Sequence, residues 1–377
     1  MKFNREILFE YLEGFKAYVE VNSKINTFDL LDKNDFFYKQ EGYKHEIYTK
    51  VRAKLGFEEW MEDDACFSDI AQKVKQAVCD AHNLVHYIAK MHFMDKVDEN
   101  PTEAGKIFYE IYCTDNDKKS FDDAIKFFGG KYNLIAYLFF IKDKSKYLPI
   151  SPSNFDRRFQ MLDIELRTSK KCTHKNYHQF LDCIDVLRQE MCNFYKMDIS
   201  LLDAHSIIWS LEYSKPYVEE AVERRADDLL VREISRAPRI RIPYTKYTNE
   251  PKPRKKPIYH NGHEIYPRDR NVALNALSYA GNCCEINPEH QSFIRRGTSE
   301  KYMEPHHLIP MSKSKEFENS LDSEQNIICL CSNCHNEKHY GEKNEKIIER
   351  LYNNRKDKLK KIGIEISFER LKKMYNL

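Results

Sequence analysis

No stretch of this sequence is long and apolar enough to cross a bilayer. The longest greasy run, Tyr132 to Ile141, is half of the roughly 20 residues that a spanning helix needs. The opening Met1-Lys-Phe-Asn-Arg5 lacks the apolar core of a signal peptide, which predicts a cytoplasmic protein with no membrane partner. Charge of one sign is not in large excess either, since 61 Lys and Arg against 59 Asp and Glu leave +2. Internal repeats and low-complexity tracts are absent, and strand-type alternation is scarce before residue 237.

What remains is a chain of 377 residues, long enough for two domains that each bury a core. Its 41% hydrophobic and 13% aromatic content exclude disorder, and 32% charged residues with a mean hydropathy of -0.71 point to a soluble, charge-studded surface. The small net charge hides a split. Residues 241–377 hold 25 Lys/Arg and 18 Asp/Glu, or +7, against 36 and 41, or -5, for residues 1–240. The basic half is the nucleic-acid candidate.

Residues 1–236 read as a mainly helical domain, with apolar residues at three-to-four spacing over 7–21, 70–94, 180–195 and 218–234. The last of these starts at Ser214, carries Pro216 in its first turn and ends before Pro238. Phe155, Trp209 and His205 read as packing that helical core rather than stacking a base. Five of the thirteen prolines then crowd between Pro238 and Pro257 among Arg and Lys residues, predicting an extended basic linker over 237–262. Within it Arg254, Lys255 and Lys256 are candidates for lying along a DNA backbone, a solubilising tether being the alternative. The last segment, 263–377, opens with a helix from Arg268 to Ala280, closed by Gly281 where a left-handed cap is wanted.

Six of the eleven cysteines (66, 79, 113, 172, 183 and 192) are scattered through helical patterns and read as small core hydrophobes. The other five are clustered, which in a chain without a secretion signal points to metal rather than disulfides. They lie in Cys283-Cys-Glu-Ile-Asn-Pro-Glu-His290 and Asn326-Ile-Ile-Cys-Leu-Cys-Ser-Asn-Cys-His-Asn-Glu-Lys-His339. Cys331 and Cys334 form a Cys-x-x-Cys knuckle, a spacing that lets two thiolates reach one tetrahedral zinc from a tight turn. Cys284 is the third candidate, with Cys283 as its alternative, and His290 is the choice for the fourth. Cys329 alternates with Cys331 on a strand and is expected in the core.

A second site is built from histidines. His335 and His339 stand four apart on a predicted helix and project from one face. His306 and His307, in Glu304-Pro-His-His-Leu-Ile-Pro310, lie on a predicted strand whose neighbours point to opposite faces. One of them can therefore join His335 and His339 on an ion while the other faces a substrate, the separation that a metal ligand and a general base require. Three imidazoles suit Mn²⁺, Ni²⁺, Co²⁺ or Zn²⁺ better than Mg²⁺.

His-His-Leu-Ile-Pro, then Asn326, then Leu-Cys-x-x-Cys-His-x-x-x-His resembles the HNH, or ββα-metal, endonuclease superfamily, and within it the branch of methylcytosine-dependent restriction endonucleases. The resemblance spans roughly Tyr266 to Gly341 and departs from the commonest zinc-braced pattern at Asn287, where a further cysteine stands in that pattern. It implies a small α+β ββα-metal domain that hydrolyses DNA. It further implies His307 as general base, Asn326 as the residue fixing the loop between the two strands, and His306, His335 and His339 as ligands of a catalytic divalent metal, beside a structural Zn²⁺ on Cys284, His290, Cys331 and Cys334. Restriction or antiphage defence is the expected role, with residues 1–236 reading a modification, a sequence or a partner protein. A homodimer is compatible with the sequence. The alternatives are a toxin or mobile-element nuclease, and an inactive zinc-stabilised DNA-binding module.

Overall fold

The computed structural model describes residues 3–23, 36–60, 66–236, 249–260, 263–341 and 344–375, apart from the side chains of His260, His339 and Tyr340. The chain divides into two compact units, Met1–Val218 and Glu219–Leu377.

The described residues of the first unit form α1 (Arg5–Asn22), α2 (Phe36–Glu41), α3 (Tyr43–Leu55), α4 (Phe67–Cys79), α5 (Tyr87–Glu99), α6 (Pro101–Cys113), α7 (Asp117–Phe128), α8 (Tyr132–Lys142), α9 (Pro152–Met161), α10 (His174–Tyr195), α11 (Leu201–Ser210) and the start of α12 (Lys215–Arg236). Local chemistry sets several starts. Asn4, Asn116, Thr173 and Ser200 accept hydrogen bonds from the first-turn N–H groups of α1, α7, α10 and α11, donors that a helix start otherwise leaves unpaired. The longest apolar run is α8, whose residues from Leu134 to Ile141 are all buried, as in a helix at the centre of a core. Around it pack α3, α6 and α7. The α4–α6 pair is close enough that a Cβ on Gly105 would stand 1.8 Å from the carbonyl oxygen of Phe67.

Two expectations for this unit need correction. The helical pattern over 70–94 is two helices, because α4 stops at Cys79 and His82 adopts a left-handed φ of 44° before α5 begins. Of the six scattered cysteines only Cys183 is buried. Cys66 and Cys79 are exposed because they sit at the two ends of α4, where the chain turns outward. Phe155, by contrast, packs in the core with its ring centroid 4.8 Å from His205 and 5.9 Å from Trp209, and His205 Nε2 lies 2.9 Å from the Pro149 carbonyl oxygen.

The second unit is a small α+β assembly, as the sequence predicted, although it begins earlier than expected. Leu230 and Ile234 of α12 pack with Ala273, Ala276 and Ile327, drawing residues 219–236 into this unit. After α12 come β1 (Ile258–His260), β2 (His263–Ile265), α13 (Arg270–Tyr279), β3 (Glu304–His307), β4 (Ile327–Leu330), α14 (Ser332–Tyr340), α15 (Asn344–Lys361) and α16 (Phe368–Met374). β3 and β4 are antiparallel, with Glu304 opposite Leu330, His306 opposite Ile328 and His307 opposite Ile327. The Ile-Ile-Cys-Leu run of β4 is buried throughout, as suits a strand covered on both faces. Ile348, Leu351 and Leu359 of α15 and Leu371 of α16 extend the same core beyond the resemblance.

Part of the expected linker is built into this unit. The Ser320 N–H donates to the Lys252 carbonyl oxygen at 2.9 Å, Arg254 donates to the carbonyl oxygens of Ser314 and Phe317, and β1 occupies 258–260. Residues 237–248 of that linker lie outside the described residues. Among the described residues, no helix is long and apolar enough to cross a membrane.

Candidate active site and metal centre

The reversal after α13 delivers the first donor of the metal centre. Gly281 and Asn282 take left-handed φ values of 64° and 48°, and the Asn282 N–H returns to the Leu277 carbonyl oxygen at 2.9 Å. Cys284 follows at once and is fully buried. Glu285 clamps this turn to β4: its N–H donates to the Cys329 carbonyl oxygen, its carboxylate accepts from the Cys329 N–H at 2.8 Å, and buried Arg355 of α15 donates to the same carboxylate oxygen. Cys331 caps α14 and Cys334 stands one turn along it.

Cys284, His290, Cys331 and Cys334 thereby bring one donor atom each within 4.8 Å of all the others. His290 Nδ1 lies 3.3 Å from Cys334 Sγ and 3.6 Å from Cys331 Sγ. Ordinary Zn–S and Zn–N bond lengths on tetrahedral axes give an S···N edge of about 3.6 Å, so the donor set fits zinc. Burial would raise the Cys284 thiol pKa, but N–H donors of Cys331, Asn287 and Ile286 outweigh it and bring it down to about 7. Cys283 points elsewhere, toward the Gly281 carbonyl oxygen, and Cys329 is a core thiol.

The second cluster lies at the edge of β3 and α14. His306 Nδ1 and His335 Nε2 are 2.9 Å apart, and His335 Nδ1 bonds to the carboxylate of Glu304, which also accepts from the Ser332 hydroxyl. Glu304 thus orients the His335 ring from its far side. Burial would raise the Glu304 pKa, but His335 beside it holds it below the usual carboxylate range. His339 is on α14, and its side chain is outside the described residues.

His307, only 1% exposed, sits between two carboxylates, with Nε2 3.3 Å from Asp322 and Nδ1 3.7 Å from Asp227. Burial alone would lower its pKa, yet Asp227 and Asp322 outweigh that and raise it. Asp322 is itself held by the Asp269 N–H at 2.8 Å and by Lys255 at 3.3 Å. Asn326, fully buried, staples the loop that leaves β3: its Oδ1 accepts from the Ile309 N–H at 2.8 Å, and its Nδ2 donates to the carbonyl oxygens of Ile309 and Leu321 at 3.0 and 2.9 Å. Of the three basic candidates, Arg254 and Lys255 are engaged within the unit and Lys256 is exposed.

Sequence reading passed over Asp227, Glu223, Arg268, Asp322 and Lys338. Arg268 bridges Asp227 at 2.8 Å and Glu223 at 2.9 Å, and buried Lys338 donates to the His307 carbonyl oxygen at 3.3 Å. Asp322 carried a faint signal, since it stands four residues before Asn326 in the same loop. Asp227 carried none, being one charge among many on α12.

Comparison with known proteins agrees with this geometry over a limited span. Residues 288–341, from the loop bearing His290 through β3, β4 and α14, match the family model of the HNH endonucleases. The chain is also 31% identical over 110 residues to the type IV methyl-directed restriction enzyme EcoKMcrA of Escherichia coli (strain K12), covering 29% of this chain and 38% of that protein. No solved structure matches the chain.

Proposed function

We propose that the second unit is a metal-dependent HNH endonuclease that hydrolyses phosphodiester bonds in DNA, and that the chain serves in restriction or antiphage defence. The observation that carries this reading is the paired His306 and His335 nitrogens, 2.9 Å apart, on a ββα element braced by a separate Cys284/His290/Cys331/Cys334 cluster. Two imidazole nitrogens this close need only a small outward adjustment to admit a catalytic divalent metal between them, which would be Mn²⁺, Ni²⁺, Co²⁺, Zn²⁺ or Mg²⁺. His339, four residues along α14, is the third ligand in this reading, and Zn²⁺ belongs to the cysteine cluster.

An ion held there supplies positive charge where the phosphate and the leaving oxygen gain negative charge as the bond breaks. The chain's own groups do the rest. Asp322 holds Nε2 of His307, leaving Nδ1 as the atom that takes a proton from the attacking water. Asn326 locks the loop on which Asp322 rides, and Glu304 keeps the His335 ring turned toward His306.

The test is nicking of supercoiled plasmid, unmodified or cytosine-methylated, with each divalent ion in turn. His307→Ala is expected to lose roughly 10²–10⁴-fold in rate while keeping its fold and metal content. Undiminished nicking by that variant sinks the assignment, and preferential cleavage of methylated plasmid supports the restriction role over the toxin alternative.

A further inference from the structure

The groups that would handle DNA are covered by the chain's own helix. His306, His307 and His335 are each buried, whereas a general base has to touch a water lined up on a phosphodiester. Over His306 and His307 the cover is one face of α12, where Glu223 and Asp227 stand four apart and project together. Asp227 Oδ1 accepts from Arg268 Nε at 2.8 Å and lies 3.7 Å from His307 Nδ1, while Oδ2 stands 3.8 Å from His306 Nδ1. Glu223 accepts from the N–H groups of Met311 and Ser312 at 2.6 and 2.9 Å and pairs with Arg268. The surface beneath α12 is therefore built for an anion, and two carboxylates fill it.

We propose that α12, from Glu219 onward, is an autoinhibitory plug whose Asp227 carboxylate occupies the place of the scissile phosphate, and that Arg268, freed when α12 withdraws, grips the substrate phosphate. This rests on the nuclease reading given above. A planar carboxylate and a tetrahedral phosphodiester each present a pair of oxygens sharing one negative charge, which a guanidinium recognises through its N–H donors, so one can stand in for the other on Arg268. The plug is anchored at its far end by Leu230 and Ile234 against Ala273, Ala276 and Ile327. That anchor offers a way to loosen the helix without altering the charges over the histidines.

The test uses the full chain in two variants, Leu230→Ala with Ile234→Ala, and the near-isosteric Glu223→Gln with Asp227→Asn. Plasmid nicking with metal is measured beside binding of a short fluorescent DNA duplex without metal. Both variants are expected to nick faster and bind more tightly than wild type by roughly tenfold, since a closed site lowers apparent affinity in proportion to its open fraction. Because the second variant also removes negative charge, the first must show the gain too. Adding Arg268→Ala to the first variant is expected to abolish the gain in binding, and its persistence overturns the role of Arg268.

If wild type nicks DNA and neither variant nicks faster or binds more tightly, the plug is overturned and the nuclease reading stands. If the variants bind more tightly but no metal supports nicking by any form, the nuclease reading fails and the plug stands. Should either variant unfold, amide exchange of wild type decides: residues 219–236 are expected to lose protection when the duplex is added, and unchanged protection overturns the proposal.

Discussion

Replacing Asn326 by Ala removes the staple on which the second unit's central loop depends. The side chain is fully buried and makes three hydrogen bonds to main-chain groups, accepting from Ile309 and donating to Ile309 and Leu321. Alanine leaves one N–H and two carbonyl oxygens without these partners in a dry interior. A typical net loss of about 1 kcal/mol per bond, plus part of the desolvation penalty of the stranded groups, gives about 3–5 kcal/mol. For a unit of this size that corresponds to a melting shift of roughly 10 °C. Calorimetry is the assay of choice, because the chain's two tryptophans, Trp60 and Trp209, both lie in the first unit and are blind to this transition. Asn326→Asp is the sharper control: it keeps the shape and the acceptor but turns the donor toward two carbonyl oxygens into another acceptor, and it is expected to be at least as damaging as Ala. A melt of either variant within about 2 °C of wild type refutes the staple, because even one lost buried bond predicts a larger shift.

Further outcomes follow from other parts of the molecule. Cys334→Ser is expected to lose the zinc of the cysteine cluster, measured by metal analysis, while metal binding at His306 and His335 persists; retention of both equivalents refutes the ligand set. Gly105→Ala sets a Cβ 1.8 Å from the Phe67 carbonyl oxygen, a main-chain atom that cannot swing aside, so about 1–3 kcal/mol or more of stability should go, read by urea unfolding on tryptophan fluorescence. Asp156 gives the first unit a pH dependence: burial would raise its pKa, but hydrogen bonds from Thr168 and Ser169 outweigh it and hold the carboxyl below its ordinary value. A depressed folded pKa means stabilisation present above about pH 4 and lost as pH falls through the folded value, so Asp156→Asn should flatten the acid limb of the stability curve. An unchanged slope between about pH 5 and pH 2 counts against that hydrogen-bonded carboxylate.

What was legible in the sequence was what the backbone makes local. A Cys-x-x-Cys at a helix start brings two thiolates together wherever the helix goes, and adjacent histidines on a strand part to either side by geometry alone. The burial of α8 was equally local, because a helix apolar on all sides has nowhere else to be. Arg254 shows the opposite case: in a run of Pro, Lys and Arg it has the composition of a solvated tether, and only the two loop carbonyl oxygens it meets in the folded unit make it structural. Glu223 and Asp227 are the extreme. On a helix that also carries Glu219, Glu220, Arg224, Arg225, Asp228, Arg232 and Glu233, two more acids read as solvated surface, and nothing within α12 marks the face they share. Their meaning comes from Arg268 and from the N–H groups of Met311 and Ser312, distant in sequence and meeting α12 only in three dimensions. The cost of burying Asp227 is offset by Arg268 and by His307, so under the plug proposed above the charges that hold α12 down are the ones that DNA would compete for. If the same groups bind substrate, as proposed above, a helix they retain would be displaced by substrate at the expense of those bonds, which would couple opening to binding without any further device.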